Sequence, residues 1–295
     1  LVLDHHNDTL LFVKDISTSI EDFRKLNNNN YNFDRLETST VLLKIKKYPQ
    51  EFSNSLNVFL NKLKKPSDEK RATFFKSSVI TLSKSRFQYV DLNKARGKTI
   101  NIKDIELSAE SFKYQLDSFD VNLKILKGVI ESSNLKPFNF KGNVNYSPGT
   151  LNLPSFEIDN DKNQVKGSMS LKGKNNSFKD FNDNVKIALS IDNTTLDANT
   201  LFPNKIKKLY KKPYEISLTA SGSLNNLSLK KVLLKNEILF FSGDLNFNHF
   251  FEKQEADWLA IVDDLRLSSK AFEDLETLSN SKKKILKNLG LLQLS

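Results

Sequence analysis

The chain has 295 residues, and 38% of them are hydrophobic, which is enough to form a folded core and excludes wholesale disorder. It contains no cysteine, so disulfides, thiolate zinc sites and cysteine nucleophiles are excluded together. The 45 Lys and Arg against 35 Asp and Glu leave a formal charge of +10, which favours anionic partners such as phospholipid headgroups or nucleic acid without choosing between them.

The first residues of the sequence carry no targeting signal. Residues 1–6 (LVLDHH) resemble neither a signal peptide nor an initiator start, and no run of about 18 apolar residues occurs anywhere. We therefore expect the chain to be an internal fragment of a longer protein.

His5 and His6 are neighbours that would point to opposite faces of a strand, and His249 is remote in sequence. The sequence thus predicts no metal site.

Residues 1–77 are predicted to form a first segment of β-sheet that includes one short helix. Asn54 and Ser55 could cap this helix, and Pro66 lies just past its end. Its apolar stripe consists of Leu56, Phe59, Leu60 and Leu63.

Residues 78–270 are dominated by strict alternation of apolar and polar residues. The clearest runs are residues 119–125 (FDVNLKI), 185–191 (VKIALSI) and 216–224 (ISLTASGSL). Short polar connections rich in Asn, Asp, Gly and Ser separate them, which favours antiparallel neighbours. Each of these strands is thus predicted to have one apolar face that is shielded from water. The residues predicted to form these faces and to line a groove are Phe119, Val121, Leu123, Ile125, Val185, Ile187, Leu189, Ile191, Ile216 and Leu218.

A degenerate repeat is present within this region. Residues 140–145, 151–158 and 165–171 match residues 220–225, 227–234 and 241–247, with glycine at corresponding places. A glycine early in a strand indicates a bulge or a close backbone approach that lets a sheet bend. The match predicts a repeated β-hairpin unit, although chance similarity between amphipathic hairpins is the alternative.

Two further helices are predicted, at residues 199–212 and 268–289, and residues 271–295 are assigned to a C-terminal helical segment. We expect the helices to pack on the sheet margin and to insert Phe59, Leu60, Phe272 and Leu275 into its apolar strip. Basic clusters at residues 205–212 and 282–284 could contact phosphate, but a solvated face is the plainer interpretation.

The sequence lacks the common catalytic motifs. No nucleophile elbow, dinucleotide fingerprint, phosphate-binding loop or zinc-protease helix occurs, and only nine glycines are present. The carboxylate pairs Asp263–Asp264 and Glu273–Asp274 are more simply explained as solvated charges. We therefore predict a non-catalytic protein without a cofactor.

The order of these pieces resembles the TamB family, the inner-membrane-anchored subunits of the translocation and assembly module, within the AsmA-like superfamily. The resemblance spans most of the chain and is carried by residues 9–16 (TLLFVKDI), 31–37 (YNFDRLE), 56–63 (LNVFLNKL) and 220–229 (ASGSLNNLSL). These motifs are of moderate specificity. Two hallmarks of the family are missing, namely the amino-terminal transmembrane helix and the carboxy-terminal domain that meets an outer-membrane barrel.

The resemblance implies a mainly β fold, a long, curved and twisted antiparallel sheet that forms an elongated groove with an apolar concave face. It also implies a periplasmic location, anchored to the inner membrane in the full-length protein. Phospholipid acyl chains and, through parts outside this fragment, an outer-membrane BamA-type barrel protein would be the partners. Lipid transport and a scaffold that binds proteins by β-augmentation are both compatible with it. An ordinary β-sandwich core and nucleic-acid binding are the remaining, weaker alternatives.

Overall fold

The computed structural model of the chain describes residues 1–20, 30–63, 74–93, 98–131, 138–160, 163–197, 213–252, 255–268 and 291–294. These residues form a mainly β protein with few and short helices. The strands are β1 (Val2–Leu3), β2 (Thr9–Ile20), β3 (Asn30–Lys47), β4 (Phe74–Asp91), β5 (Lys98–Gln115), β6 (Ser118–Ile130), β7 (Phe138–Ser147), β8 (Thr150–Asn160), β9 (Asn163–Gly173), β10 (Val185–Leu196), β11 (Tyr214–Gly222), β12 (Leu227–Lys235), β13 (Leu239–Asn248), β14 (Asp257–Ser268) and β15 (Leu291–Leu294). The helices are α1 (Ser55–Leu63) and α2 (Phe181–Asn184), and a 3-10 turn covers Lys174–Asn176.

The strands are hydrogen-bonded in chain order, from β1 to β15, as the short polar connections predicted. The pairs from β1 to β6 and from β8 to β15 run antiparallel, except that β3 and β4 are parallel. The sequence did not predict this exception. A parallel pair needs a long crossover, and residues 48–73, which include α1, supply one.

The chain packs as two units, Leu1–Val144 (unit 1) and Asn145–Ser295 (unit 2). The predicted boundary after residue 77 falls inside the strand β4, and the division between the two units lies after Val144. The predicted helices at 199–212 and 268–289 lie almost entirely outside the described residues. The end of the assumed helical segment is a strand, since β15 pairs with Leu265–Ser268 of β14.

Helix α1 begins where the sequence predicted. The Asn54 side chain accepts a hydrogen bond from the backbone N–H of Asn57, at 2.9 Å, and so caps the helix. The hydroxyl of Ser55 accepts one from the backbone N–H of Lys46 in β3, also at 2.9 Å, which joins the helix to the sheet. Phe59 is half-buried, but Leu60 is 45% exposed and does not insert into the sheet as predicted.

Bulges or left-handed residues interrupt strands in both units. In unit 1, Thr40 of β3 and Lys84 of β4 have φ of 53° and 49°, and both lie between the pairs Ser39–Ser83 and Leu42–Arg86. In unit 2, bulges lie near Asn193 of β10 and Lys231 of β12, two strands that are separated by β11. A bulge bends its strand and increases the local twist. Each unit therefore contains bends built into several of its strands.

Side-chain oxygens satisfy the backbone N–H groups that these bulges release. The acceptor belongs to the neighbouring strand in each case, and the N–H lies at or beside the bulge. The bonds run from Val41 to Ser85 Oγ (3.1 Å), from Lys166 to Thr194 Oγ1 (3.2 Å), from Asn193 to Ser217 Oγ (3.2 Å) and from Lys231 to Asp244 Oδ1 (2.9 Å).

The structure reproduces the repeat seen in the sequence at the level of strand register. In the β8–β9 pair, Leu151 faces Leu171, Leu153 faces Met169, and a bulge precedes the pair Phe156–Gly167. In the β12–β13 pair, the residues at the corresponding positions of the repeat form the same pairs: Leu227–Phe247, Leu229–Leu245 and, after a bulge, Val232–Gly243. The two hairpins thus share side-chain pairing, bulge position and glycine position, which chance similarity does not explain.

Candidate functional site

Two rows of apolar side chains cross unit 2 on one face of the sheet. Each row takes one residue from each of seven adjacent strands, β8 to β14, and every step is a direct cross-strand pair. The first row is Leu153, Met169, Leu189, Ala220, Leu229, Leu245 and Ala260. The second row is Leu151, Leu171, Ile187, Gly222, Leu227, Phe247 and Trp258. We call them the apolar rows.

The residues between the apolar rows point to the opposite face and are mostly small and polar. They form a parallel row of Asn152, Ser170, Ala188, Ser221, Ser228, Asn246 and Leu259. Ser170 donates a hydrogen bond to Asn152 at 2.6 Å, and Ser228 donates one to Asn246 at 2.7 Å, which repeats the same pair in both hairpins. The sheet of unit 2 therefore has one apolar and one polar face.

The apolar face is only partly covered within the described structure. Leu153 and Ala220 are buried, whereas Met169, Leu189 and Leu229 are half-buried. The described strands of unit 2 form one continuous hydrogen-bonded sheet. The β-sandwich alternative raised by the sequence requires two sheets packed face to face. No second sheet occurs among the described strands of unit 2.

The six predicted groove residues of unit 2 share one face. Val185, Ile187, Leu189 and Ile191 alternate along β10, and Leu218 of β11 pairs directly with Ile191. Ile216 lies two residues before Leu218 on the same strand. Val185 has no exposed surface, while the other five are half-buried. The alternation in the sequence thus grouped residues that share one face, and their role in lining a lipid groove stays a prediction.

Three of the four predicted groove residues of unit 1 also share a face, but Ile125 does not. Leu123 pairs with Ala109, and Ile125 pairs with the adjacent Ser108, because a bulge at Lys124 adds one residue to β6. Adjacent residues of a strand point to opposite faces, so Ile125 and Leu123 do too. The predicted place of Ile125 is taken by Leu126, and the prediction for Ile125 is wrong.

Phe119, another predicted groove residue, belongs to a row of aromatic rings that crosses β3 to β6. The ring centroids of Phe33 and Phe75 are 5.1 Å apart, those of Phe75 and Phe112 are 5.6 Å apart, and those of Phe112 and Phe119 are 6.4 Å apart. Separations of about 4.5–7 Å are those at which aromatic pairs attract one another. Unit 1 thus has its own continuous apolar row.

A depression of ≈ 570 Å³ lies against β7 to β11, inside unit 2. Its lining combines Leu153, Met169 and Leu189 with polar Asn152 and Ser190. The mixture of apolar and polar side chains is compatible with an amphipathic ligand.

Strand β14 exposes a group of apolar residues that the alternation did not reveal. Trp258 is 70% exposed, Leu259 57%, Ile261 50% and Val262 43%, so both faces of the strand are apolar. Only Leu265–Ser268 pair with β15, so residues 257–264 lack a second neighbouring strand among the described residues. The signal in the sequence is the unbroken apolar run at 258–262, which departs from period two.

A polar cluster at the β1–β2 turn corrects the prediction for the two adjacent histidines. His5 and His6 lie in a turn rather than on a strand, and their ring centroids are 4.5 Å apart. Nε2 of His5 lies 2.9 Å from one oxygen of Glu51, and Nε2 of His6 lies 2.8 Å from the other. Hydrogen bonds from His6 and His5 hold the pKa of the Glu51 carboxyl below its usual value.

Hydrogen bonds to the Asp4 carboxylate, one of them from Tyr48, fix the conformation of this turn. One oxygen of Asp4 accepts hydrogen bonds from the backbone N–H groups of His6 (2.9 Å) and Asp8 (3.0 Å). Its other oxygen accepts the Tyr48 hydroxyl, at 2.8 Å. Burial raises the pKa of Asp4, but the bonds from Tyr48, His6 and Asp8 outweigh it and lower the pKa overall. Both side chains are buried.

No family model, curated protein or solved structure matches this chain. Within the described residues, no helix has the length and apolar character needed to span a membrane.

Proposed function

We propose that this chain is a non-catalytic segment of a periplasm-spanning bridge for phospholipid transport and outer-membrane biogenesis, similar to the TamB family. The observation that carries the proposal is the pair of apolar rows in unit 2. They present a half-covered apolar face across seven hydrogen-bonded strands, and the aromatic row in unit 1 is a second such strip.

The energetics of such a face suit an acyl chain. Each methylene that leaves water contributes about 0.8 kcal/mol, so two acyl chains lying along a strip could gain on the order of 20 kcal/mol relative to water. The backbone groups beneath are satisfied within the sheet, so a lipid tail can lie there without leaving polar groups unpaired. The lipid headgroup would remain in solvent, where the positive charge of the protein attracts anionic headgroups.

The test is site-specific photo-crosslinking in the presence of phospholipid vesicles. A photoreactive residue at Leu189 should capture lipid, and one at Lys186 should not, because the alternation along β10 places the exposed Lys186 on the face opposite Leu189. Val121 and Asn122 form the corresponding pair in unit 1. Capture of lipid only at Lys186 and Asn122 would refute the assignment of the face.

A charge-insertion pair tests transport itself. Leu189→Arg places a charge on the apolar face and should abolish lipid capture, whereas Ser221→Arg places the same charge on the exposed opposite face and should leave lipid capture unchanged. Far-UV circular dichroism of both variants establishes that the sheet is intact. Equal lipid capture by the two folded variants would contradict the proposal.

The exposed strand β14 favours a second function, that of a scaffold for β-augmentation. An edge strand offers unpaired backbone groups to an extended partner, and the exposed Trp258 and Ile261 would add apolar contacts. Paired Leu259→Lys and Ile261→Lys substitutions should abolish binding of an extended amphipathic peptide, measured by fluorescence anisotropy, and leave lipid capture at Leu189 unchanged. If the chain acts only as a scaffold, Leu189→Arg should in addition have little effect on binding of the extended peptide.

A further inference from the structure

The turn between β1 and β2 brings together three side chains whose ligand atoms face one another. His5 and His6 each direct Nε2 to one oxygen of Glu51, which lies between β3 and α1. The ligand atoms of the three residues lie within 4.8 Å of one another. Two imidazoles and one carboxylate, contributed by two separate loops, thus converge on one point.

This donor set matches a recurrent class of metal site. Two histidines and one carboxylate bind Zn²⁺ in hydrolases and Fe²⁺ in non-haem oxygenases, and further positions are left open to water. Ligand atoms about 2.1 Å from a metal lie roughly 3.0–3.4 Å apart in octahedral or tetrahedral geometry. The observed separations of 2.9 and 2.8 Å between histidine nitrogens and carboxylate oxygens are within a few tenths of an ångström of these values, and all the ligand atoms lie within 4.8 Å of one another.

The surroundings hold the three ligands in place and leave one side accessible. The ring of Tyr48 lies 3.8 Å from that of His6 and 5.5 Å from that of His5, between centroids, and so limits their rotation. Asp4 holds the backbone of the turn, as described above. The His5 side chain is 17% exposed, Glu51 30% and His6 45%, so an ion can enter from the side of His6.

We propose that His5, His6 and Glu51 bind one divalent transition-metal ion of the zinc class. The ion fastens the β1–β2 turn to the loop between β3 and α1. It thereby joins the beginning of unit 1 to the connection that leads into the parallel pair β3–β4. Because the unfolded chain does not hold these ligands together, binding stabilises the folded state.

The chain offers an internal comparison at the β13–β14 turn. His249, Glu252 and Glu255 also lie within reach of one another, but all three are exposed. Glu252 is in addition engaged by the Asn225 side-chain amide at 2.7 Å. Exposed carboxylates lack the packing that orients ligands, so this second cluster serves as the control site.

The experiment uses the full chain after treatment with a chelator and dialysis, with Zn²⁺ and Co²⁺ as probes. Isothermal titration should show one Zn²⁺ bound per chain, and Co²⁺ should produce visible d–d absorption. Glu51→Gln and His6→Gln should each weaken Zn²⁺ binding at least tenfold, whereas His249→Gln should leave it unchanged. Zn²⁺ should raise the thermal unfolding midpoint of the parent protein and of His249→Gln, but not of Glu51→Gln.

His6→Gln guards against a variant that merely fails to fold, because His6 is the most exposed of the three ligands. The circular dichroism spectrum of each metal-free variant is compared with that of the parent, and a matching spectrum shows that the variant is folded. Absence of Zn²⁺ binding to the parent, with protein and Zn²⁺ each at about 100 μM, would overturn the proposal. Loss of binding in His249→Gln but not in folded His6→Gln would overturn it as well.

Discussion

Thr194 shows how single side chains sustain the bulged strands. It has no exposed surface, and its Oγ1 accepts a hydrogen bond from the backbone N–H of Lys166, at 3.2 Å. Thr194→Val keeps the shape but leaves this buried N–H unpaired, which we expect to cost about 1–3 kcal/mol. Thr194→Ser keeps the acceptor and should cost less. Urea unfolding of both variants measures the difference, and an equal loss for serine and valine would contradict the role of the hydroxyl.

Asp244 makes a pH-dependent contribution at a second bulge. The Lys230 ammonium, at 2.9 Å, and the backbone N–H of Lys231 hold the pKa of the Asp244 carboxyl below its usual value. A pKa lowered by folding contributes stability that is present above the unfolded value, about 3.9, and is lost as the pH falls through the folded value. Asp244→Asn should therefore be less stable than the parent at neutral pH, and this difference should shrink below about pH 4.

Chemical unfolding at neutral and acidic pH tests this expectation for Asp244. Lys230→Gln is the matched control, because it removes the ammonium and keeps the hydrogen bond from the Lys231 backbone. Its difference from the parent should have the same sign and a smaller size. A difference between Asp244→Asn and the parent that stays constant across the whole pH range would refute the argument.

At the scale of the strand, two glycines allow neighbouring backbones to approach. A Cβ on Gly167 would lie 2.1 Å from the carbonyl oxygen of Ser190, and one on Gly243 would lie 2.1 Å from that of Ile261. These glycines occupy the same position in the repeat. Since backbone cannot move aside as a side chain does, Gly167→Ala and Gly243→Ala should each destabilise by about 1–3 kcal/mol.

Gly128 is the control for the glycine substitutions. The atoms that a Cβ there would meet belong to side chains, the nearest being the methyl Cγ2 of Ile102 at 2.9 Å, and a side chain can adjust further than a hydrogen-bonded backbone. Gly128→Ala should thus cost less than either of the other two changes in the same thermal or urea unfolding assay. If the three substitutions cost the same, close backbone approach does not explain the repeated glycines.

At the scale of the molecule, the sequential strand order makes stability a property of neighbouring strands. In such an arrangement each strand contacts mainly its sequence neighbours, so a substitution that destabilises one strand should affect the next strands progressively less. Asn225 is a suitable position for such a substitution. It is 4% exposed, and its side chain bonds to Asp183 (2.9 Å), Glu252 (2.7 Å) and the backbone N–H of Phe251 (3.1 Å).

We expect Asn225→Ala to speed amide hydrogen exchange most in β11 to β14, whose turns Asn225 joins, and progressively less toward β8. Ser85→Ala is the reciprocal change in unit 1, where Ser85 accepts from the Val41 N–H, and should act most on β3 to β5. Mass spectrometry of exchanged peptides resolves both patterns. A uniform rise in exchange across unit 2 after Asn225→Ala would show that the unit unfolds all at once and not strand by strand.

The β class, the apolar face of unit 2, the helix cap at Asn54 and the repeat were all readable from the sequence alone. Each rests on local chemistry. Alternation along a strand decides which side chains share a face, so Ile187, Leu189 and Leu218 could be grouped before any pairing was known. The Asn54 side chain caps α1 through the N–H of a residue only three positions away.

The tertiary structure decided what depends on pairing between distant residues. A bulge moved Ile125 to the other face, because register against β5 cannot be deduced from the alternation of β6. The parallel β3–β4 pair and the unpaired stretch of β14 follow from which strands meet. His5 and His6 join Glu51 only because residues 45 positions apart in sequence meet at one turn. Local alternation specifies faces, whereas strand register and loop contacts are set by the whole packed chain.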